Sequence, residues 1–415
     1  MFFTTLANNL QVLYLPFPTT SSVFISLKGK AGRRGEQEKE IGGAHFLEHL
    51  FFDGTIKRLS ASELSKFLDD QGAQHNGLTG TETVNYFVKI LAGKAEFGFE
   101  YLSDIYFNSL FRGEDIEKER KVIFEEQAMY KDRPEEVLKQ ELGSLLYPNQ
   151  ILGRKFYDDQ KNLDLLTKEI LLNYKKRNYV SQNFILTVAG KITKESALVL
   201  AEKYFSQFDQ GKIISFPKAE IEKEMKIKII NQNLGQSQLA IGFRGYSRLQ
   251  VQEKIFCFLL RKILTGGHSS RLYRRLRNEL HLIYTVHSGL TCFSDIGDFS
   301  LETKMKEENL PQTLNEILRE IKKLLTGGIT GDELQRAKNL LLSDFLFSLE
   351  KFEAYVDYFN SQYLFKNEIV SIEDNAKLIK NTSVQQVMSV AEYIFSDKPK
   401  ICILTPKLKE LSLFL

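Results

Sequence analysis

The spacing of apolar residues changes period along the chain, and each change marks an element. Residues 10–30 alternate loosely, with Val12, Tyr14 and then Val23, Phe24, Ile25 and Leu27, which predicts two strands joined by a proline-containing turn. Ser60-Ala61-Ser62-Glu63 is a capping box followed by Leu64, Phe67 and Leu68 on one helical face, with Gly72 as the stop. Residues 73–91 switch to period two: Val84, Tyr86, Val88 and Ile90 form one face of a strand, Thr83, Asn85 and Lys89 the other. Gln74-His75-Asn76-Gly77-Leu78 just ahead reads as the start of a further strand. An acidic helix over 113–126, a turn at Asp132-Arg133-Pro134 and apolar-periodic helices over 137–146, 166–178 and 193–207 follow. Between the last two lies Phe184-Ile185-Leu186-Thr187-Val188-Ala189-Gly190, whose continuous apolar run predicts a buried strand.

The second half reads as a weak copy of the first. Gly331-Asp332-Glu333-Leu334-Gln335-Arg336-Ala337 echoes Gly113-Glu114-Asp115-Ile116-Glu117-Lys118-Glu119 at an offset of 218 residues, from 113 to 331. The pattern predicts an α+β protein of two homologous domains, 1–209 and 223–415, joined by a linker over 210–222, each with helices packed on an antiparallel-rich mixed sheet.

Candidate chemistry concentrates in Gly43-Ala44-His45-Phe46-Leu47-Glu48-His49-Leu50. On a helix, His45, Glu48 and His49 share one face. Two neutral imidazoles one turn apart are a natural pair of zinc ligands, and a glutamate beside them can take a proton from water that the metal activates. The bland alternative is two histidines that cap or pack a core helix. Catalytic zinc sites usually carry a third protein ligand and an open position. In the acidic helix, Glu119 and Glu126 are two turns apart and so also share a face.

His-x-x-Glu-His with Glu126 lying 77 residues beyond His49 (49 to 126), and Glu119 seven before it, resembles the pitrilysin-type zinc peptidases, the inverzincins. So do Gly32-Arg33-Arg34-Gly35-Glu36, Phe52-Asp53-Gly54-Thr55, Asn76-Gly77-Leu78-Thr79-Gly80-Thr81-Glu82-Thr83 and Met129-Tyr130-Lys131-Asp132-Arg133-Pro134-Glu135. The resemblance implies α/β-roll domains forming half of a clamshell, and one zinc per chain held by His45, His49 and Glu126. It implies Glu48 as the base and Glu119 as the support of the site. It also implies an edge strand at Asn76 and Gly77 to which a peptide substrate adds. Leu276-Arg277, with Tyr284 seven further on, resembles the family's Arg/Tyr pair that grips the peptide backbone and scissile carbonyl. Taken alone, Arg271, Arg274, Arg275 and Arg277 read as a solvated face or a basic patch for nucleic acid. Two departures stand out: Gly77 where the family usually has Ala, and the stretch 148–162, for which a changed surface loop is expected. His75 is a weaker candidate as a fourth ligand. The helix around Lys254 to Leu264 holds no His, and the offset puts Ala337 and Asp344 at the positions of Glu119 and Glu126, so the second domain is expected to be metal-free.

Composition narrows the classes. A net charge of +3 asks for neither nucleic acid nor an anionic membrane. Cys257, Cys292 and Cys402 are widely spaced with no Cys-x-x-Cys, as in a reducing compartment. No apolar run approaches a membrane span, and the start lacks a signal-peptide pattern, so a cytoplasmic location is expected. The resemblance further implies a homodimer, because a clamshell needs four such domains. A heterodimer with a related chain and a catalytically silent assembly subunit are the alternatives.

Overall fold

The computed structural model describes residues 1–366 and 369–406, so the expected domain end at 415 lies outside the described residues. The chain forms two compact units. The first comprises Met1–Ala128, Phe156–Pro217 and Lys351–Ile369. Its strands are β1 (Phe2–Thr5), β2 (Gln11–Pro16), β3 (Ser22–Gly29), β4 (Gln74–Thr79), β5 (Val84–Leu91) and β6 (Phe184–Gly190), in the order β1-β2-β6-β3-β5-β4. Only β2 and β6 are parallel. All seven residues of β6 are buried, as its unbroken apolar run requires for a strand covered on both faces. In β5, Val84, Tyr86, Val88 and Ile90 are buried and the residues between them half-exposed. Among the described residues β4 is an edge strand, paired with β5 alone.

The second unit comprises Met129–Lys155, Lys218–Glu350 and Val370 onward. It holds β7 (Lys226–Asn231), β8 (Ser237–Gly245), β9 (Ile283–Cys292), β10 (Gly297–Met305) and β11 (Lys400–Thr405) in the order β7-β11-β8-β10-β9. Its one parallel pair is β7 with β11, so the wiring repeats β2-β6-β3-β5-β4 strand for strand. The helix Val251–Thr265 buries Leu260, Ile263 and Leu264 and carries no histidine. Its Lys262 pairs with Asp344.

The unit boundaries differ from the contiguous domains 1–209 and 223–415. Helix Pro134–Leu146 belongs to the second unit: Leu142 and Leu146 lie against Gly242 of β8, where a Cβ would come within 3.0 Å of both side chains. Helix Phe352–Lys366 belongs to the first unit, where it covers the face of β3 that carries Phe24, Ser26 and Lys28. Lys28 pairs with Asp357 and donates to Ser361 Oγ at 2.8 Å, and Asn360 donates to Ser26 Oγ at 3.3 Å. Each sheet thus takes the helix on its second face from the opposite half of the sequence, and periodicity records that a helix is amphipathic without saying which sheet it covers. The expected linker makes backbone hydrogen bonds to the first unit: Gly211 N donates to Gln182 at 2.9 Å, and Ile214 N to Asn183 at 2.8 Å.

Candidate metal centre

The eight-residue helix Gly43–Leu50 buries Ala44, Phe46, Leu47 and Leu50 and turns His45, Glu48 and His49 to the other side, half-buried. So short a helix is marginal alone. Its start is Gly42, at φ 87°, with no capping side chain of its own. Glu36 takes that role, accepting from Gly42 N at 3.1 Å and Ala44 N at 3.0 Å.

The acidic helix, Gly113–Lys131, buries Ile116, Glu119, Ile123 and Gln127. That face brings Glu126 Oε2 within 3.6 Å of both His45 Nε2 and His49 Nε2. One ligand atom from each of His45, His49 and Glu126 lies within 4.8 Å of the others. Glu119 stands one shell out, with Oε2 at 3.0 Å from His49 Nδ1, which leaves Nε2 as the ligand atom. Lys118 extends the chain of charge, 3.2 Å from Glu119 and 2.9 Å from Asp53.

Burial and charge set the protonation of the three candidate ligands differently. Burial, with His49 and Arg33 acting the same way, pushes His45 down to about 4 and keeps it a neutral ligand. His49 is raised: burial alone lowers it, but the Glu126 and Glu119 carboxylates overcome that. The contact with His49 holds the Glu126 carboxyl below its ordinary value. Burial raises Glu48 against a lowering contribution from the Thr79 hydroxyl, and among the described residues its buried Oε2 has no hydrogen-bond partner. A carboxylate with an uncommitted oxygen next to three converging ligand atoms fits a zinc site with a base beside it.

Of the remaining expected residues, Gly77 faces Glu48 so closely that a Cβ there would sit 2.8 Å from Glu48 Cγ and 2.8 Å from Phe52 Cε2. A methyl group at this position would force the Glu48 or Phe52 side chain to shift. Asn76 is exposed, and its Oδ1 accepts from Gly77 N at 3.0 Å. His75 packs against Phe52 and Tyr101, with ring centroids 5.7 and 5.4 Å away, and is absent from the ligand cluster. Arg277 and Tyr284 belong to the second unit, Arg277 in a π-helical stretch (Tyr273–Glu279) and Tyr284 on β9. The guanidinium lies 4.3 Å from the Tyr284 ring centroid, and Tyr284 is 70% exposed.

Sequence reasoning missed Phe156. The stretch 148–162, expected as a changed surface loop, brings this ring 5.2 Å from that of His45, edge to face, and its carbonyl accepts from Gln127. One phenylalanine among 31, in a stretch without periodicity, carried no signal. Arg34 and Glu36 lie in Gly32-Arg33-Arg34-Gly35-Glu36, and their partners Glu82, Pro217, Gly42 and Ala44 are brought to them only by the fold.

Comparisons with known proteins place the chain in a family. Residues 11–160 match the family model described as insulinase, peptidase family M16, and residues 165–341 match that of the peptidase M16 inactive domain. His45, Glu48, His49, Glu119 and Glu126 all fall within the first match. An uncharacterised zinc protease of Rickettsia felis is 32% identical over 401 residues, 97% of this chain and 96% of that one. One from Bacillus subtilis is 27% identical over 405 residues, 97% of each. The fold is shared with a protease from Helicobacter pylori (TM-score 0.88, 22% identity, 97% of this chain and 99% of that one). It is also shared with a peptidase M16 inactive domain from Pseudomonas fluorescens (TM-score 0.89, 18% identity, 98% of each).

Proposed function

This chain belongs to the insulinase family of M16 peptidases, and we propose that it is a zinc-dependent endopeptidase or oligopeptidase acting on short, unstructured peptides. The observation that carries the reading is the approach of two imidazole Nε2 atoms to one Glu126 oxygen at 3.6 Å, with Glu48 on the same helix as both histidines. His45, His49 and Glu126 would hold the zinc, which when bound would supply Lewis acidity. Glu48 then removes the proton of the attacking water and returns it to the leaving amine, a role that its raised pKa suits. Glu119 holds His49 in the tautomer that binds metal.

The open edge of β4 suits an extended peptide, which would add as a further strand by main-chain hydrogen bonds with little demand on its sequence. Arg277 and Tyr284 are proposed to grip the peptide, each site using the pair of the partner chain in a homodimer. A silent assembly subunit is the weaker reading, because His45, Glu48, His49 and Glu126 are all present and the ligand atoms converge.

Metal analysis together with a screen of unstructured peptides tests the reading. One zinc per chain and cleavage abolished by a chelator and restored by zinc are expected. Full zinc with no cleavage of any peptide, alone or with added partner chains, contradicts it.

A further inference from the structure

The loop between β3 and the histidine helix touches both halves of the site within five residues. At one end it clamps the turn joining β4 to β5, which is closed by Gly80 N donating to Thr83 O at 2.7 Å. Gly32 lies so close that a Cβ there would meet Gly80 O at 2.5 Å and Thr83 N at 2.6 Å. Arg33 N donates to Gly80 O at 3.2 Å and Arg34 N to Thr81 O at 2.6 Å. The Arg34 guanidinium donates to Glu82 at 2.7 Å and to Pro217 O at 2.6 Å, with both charged side chains no more than 2% exposed. At the other end, Glu36 holds the N–H groups of Gly42 and Ala44, immediately before His45. The middle is pinned as well: Tyr174 donates to the carbonyls of Ala31 and Gly32, and Arg177 to that of Gly35.

We propose that Arg34 and Glu36 are positioning residues of one rigid spacer, which sets the gap between the edge strand β4 and the helix carrying His45, Glu48 and His49. Neither element fixes that gap by itself. Among the described residues β4 has a neighbour on one side only, and the helix has eight residues and no capping side chain of its own. The gap matters because Gly77 and Glu48 already touch, and because a peptide laid along β4 meets the base at a distance set by this loop. The proposal rests on the peptidase reading for its purpose; its two ends can be measured without any turnover.

The Arg34 end is tested in Gly32→Ala, which adds one methyl against the turn and leaves every charge in place. It is tested again in the double variant Arg34→Met/Glu82→Leu, which removes both buried charges together. Expected in both are zinc affinity within twofold of the parent, faster amide hydrogen exchange across β4 and β5, and a KM for peptide raised about tenfold. The Glu36 end is tested in Glu36→Ala, whose two released N–H groups loosen the helix start. Zinc affinity should fall about tenfold, with Glu36→Gln recovering part of the loss. If the double variant does not fold, Gly32→Ala decides the strand end alone. Unchanged exchange in β4 and β5 in folded Gly32→Ala, or parental zinc affinity in Glu36→Ala, overturns the proposal. Should the parent cleave no peptide, the peptidase reading fails by itself, while exchange and zinc affinity still decide whether the spacer exists.

Discussion

Removing the Glu119 carboxylate should weaken zinc binding while leaving all three metal ligands in place. Glu119 Oε2 lies 3.0 Å from His49 Nδ1, and its side chain is 9% exposed, so little water stands ready to replace it. A hydrogen-bonded carboxylate behind a ligating imidazole fixes ring and tautomer and raises ligand basicity, and its loss costs roughly 10–100-fold in metal affinity. At about 1.4 kcal/mol per tenfold, that is about 1.4–2.8 kcal/mol. Glu119→Gln keeps an acceptor oxygen without the charge and should fall near the tenfold end. Glu119→Ala loses both and should fall near the hundredfold end. Lys118, 3.2 Å from Glu119, keeps its contact with Asp53 in either variant, so no buried cation is stranded. Competition with a chromogenic zinc chelator measures both. Affinities within twofold of the parent in both variants, or Gln weaker than Ala, would refute the role given to Glu119.

Other consequences can be measured separately. Zinc uptake at pH 6.5 should release a proton, because Glu126 and Glu119 hold His49 above its ordinary 6.5 despite burial, while His45, near 4, is already neutral. Zinc affinity should therefore drop as pH falls through His49's raised pKa. Titration calorimetry in two buffers of different ionisation enthalpy reads the proton, and identical heats would contradict the shift. Gly77→Ala puts a methyl 2.8 Å from Glu48 Cγ and Phe52 Cε2, inside ordinary contact distance, so turnover should fall about tenfold at full zinc occupancy. An unchanged rate would mean that the base is not held by this contact. Glu48→Gln and Tyr284→Phe homodimers should each be nearly inactive. Mixed and exchanged, they should recover about a quarter of parental activity, since half the dimers are hybrids with one intact site. No recovery after verified exchange would exclude sites shared between chains.

Much of this was legible in the residues themselves. The period-two face of β5 and the seven-residue run of β6 are dictated by burial, and both are found as expected. His45, Glu48 and His49 could be aligned on one helical face because helix geometry is local. Glu126 could be added only through the resemblance, since bringing two helices together is a tertiary event. The duplication surfaced in the sequence through one helix, yet its clearest expression is the repeated strand order, which depends on pairings far apart in the chain. The exchange of helices Pro134–Leu146 and Phe352–Lys366 left no trace, because an amphipathic face does not name its partner. Phe156 and the capping by Glu36 were equally silent: each acts through a contact made only when distant segments fold together.

The central claim is that Glu48 is the base of a zinc peptidase centre and binds no metal, and Glu48→Gln tests it most directly. Zinc content and peptide turnover should be measured on the same preparation of parent and variant. The account predicts one zinc per chain in both, with turnover of the variant lower by roughly 10²–10⁴-fold, the usual range for losing a general base. Turnover near that of the parent in a fully zinc-loaded Glu48→Gln protein would contradict the account.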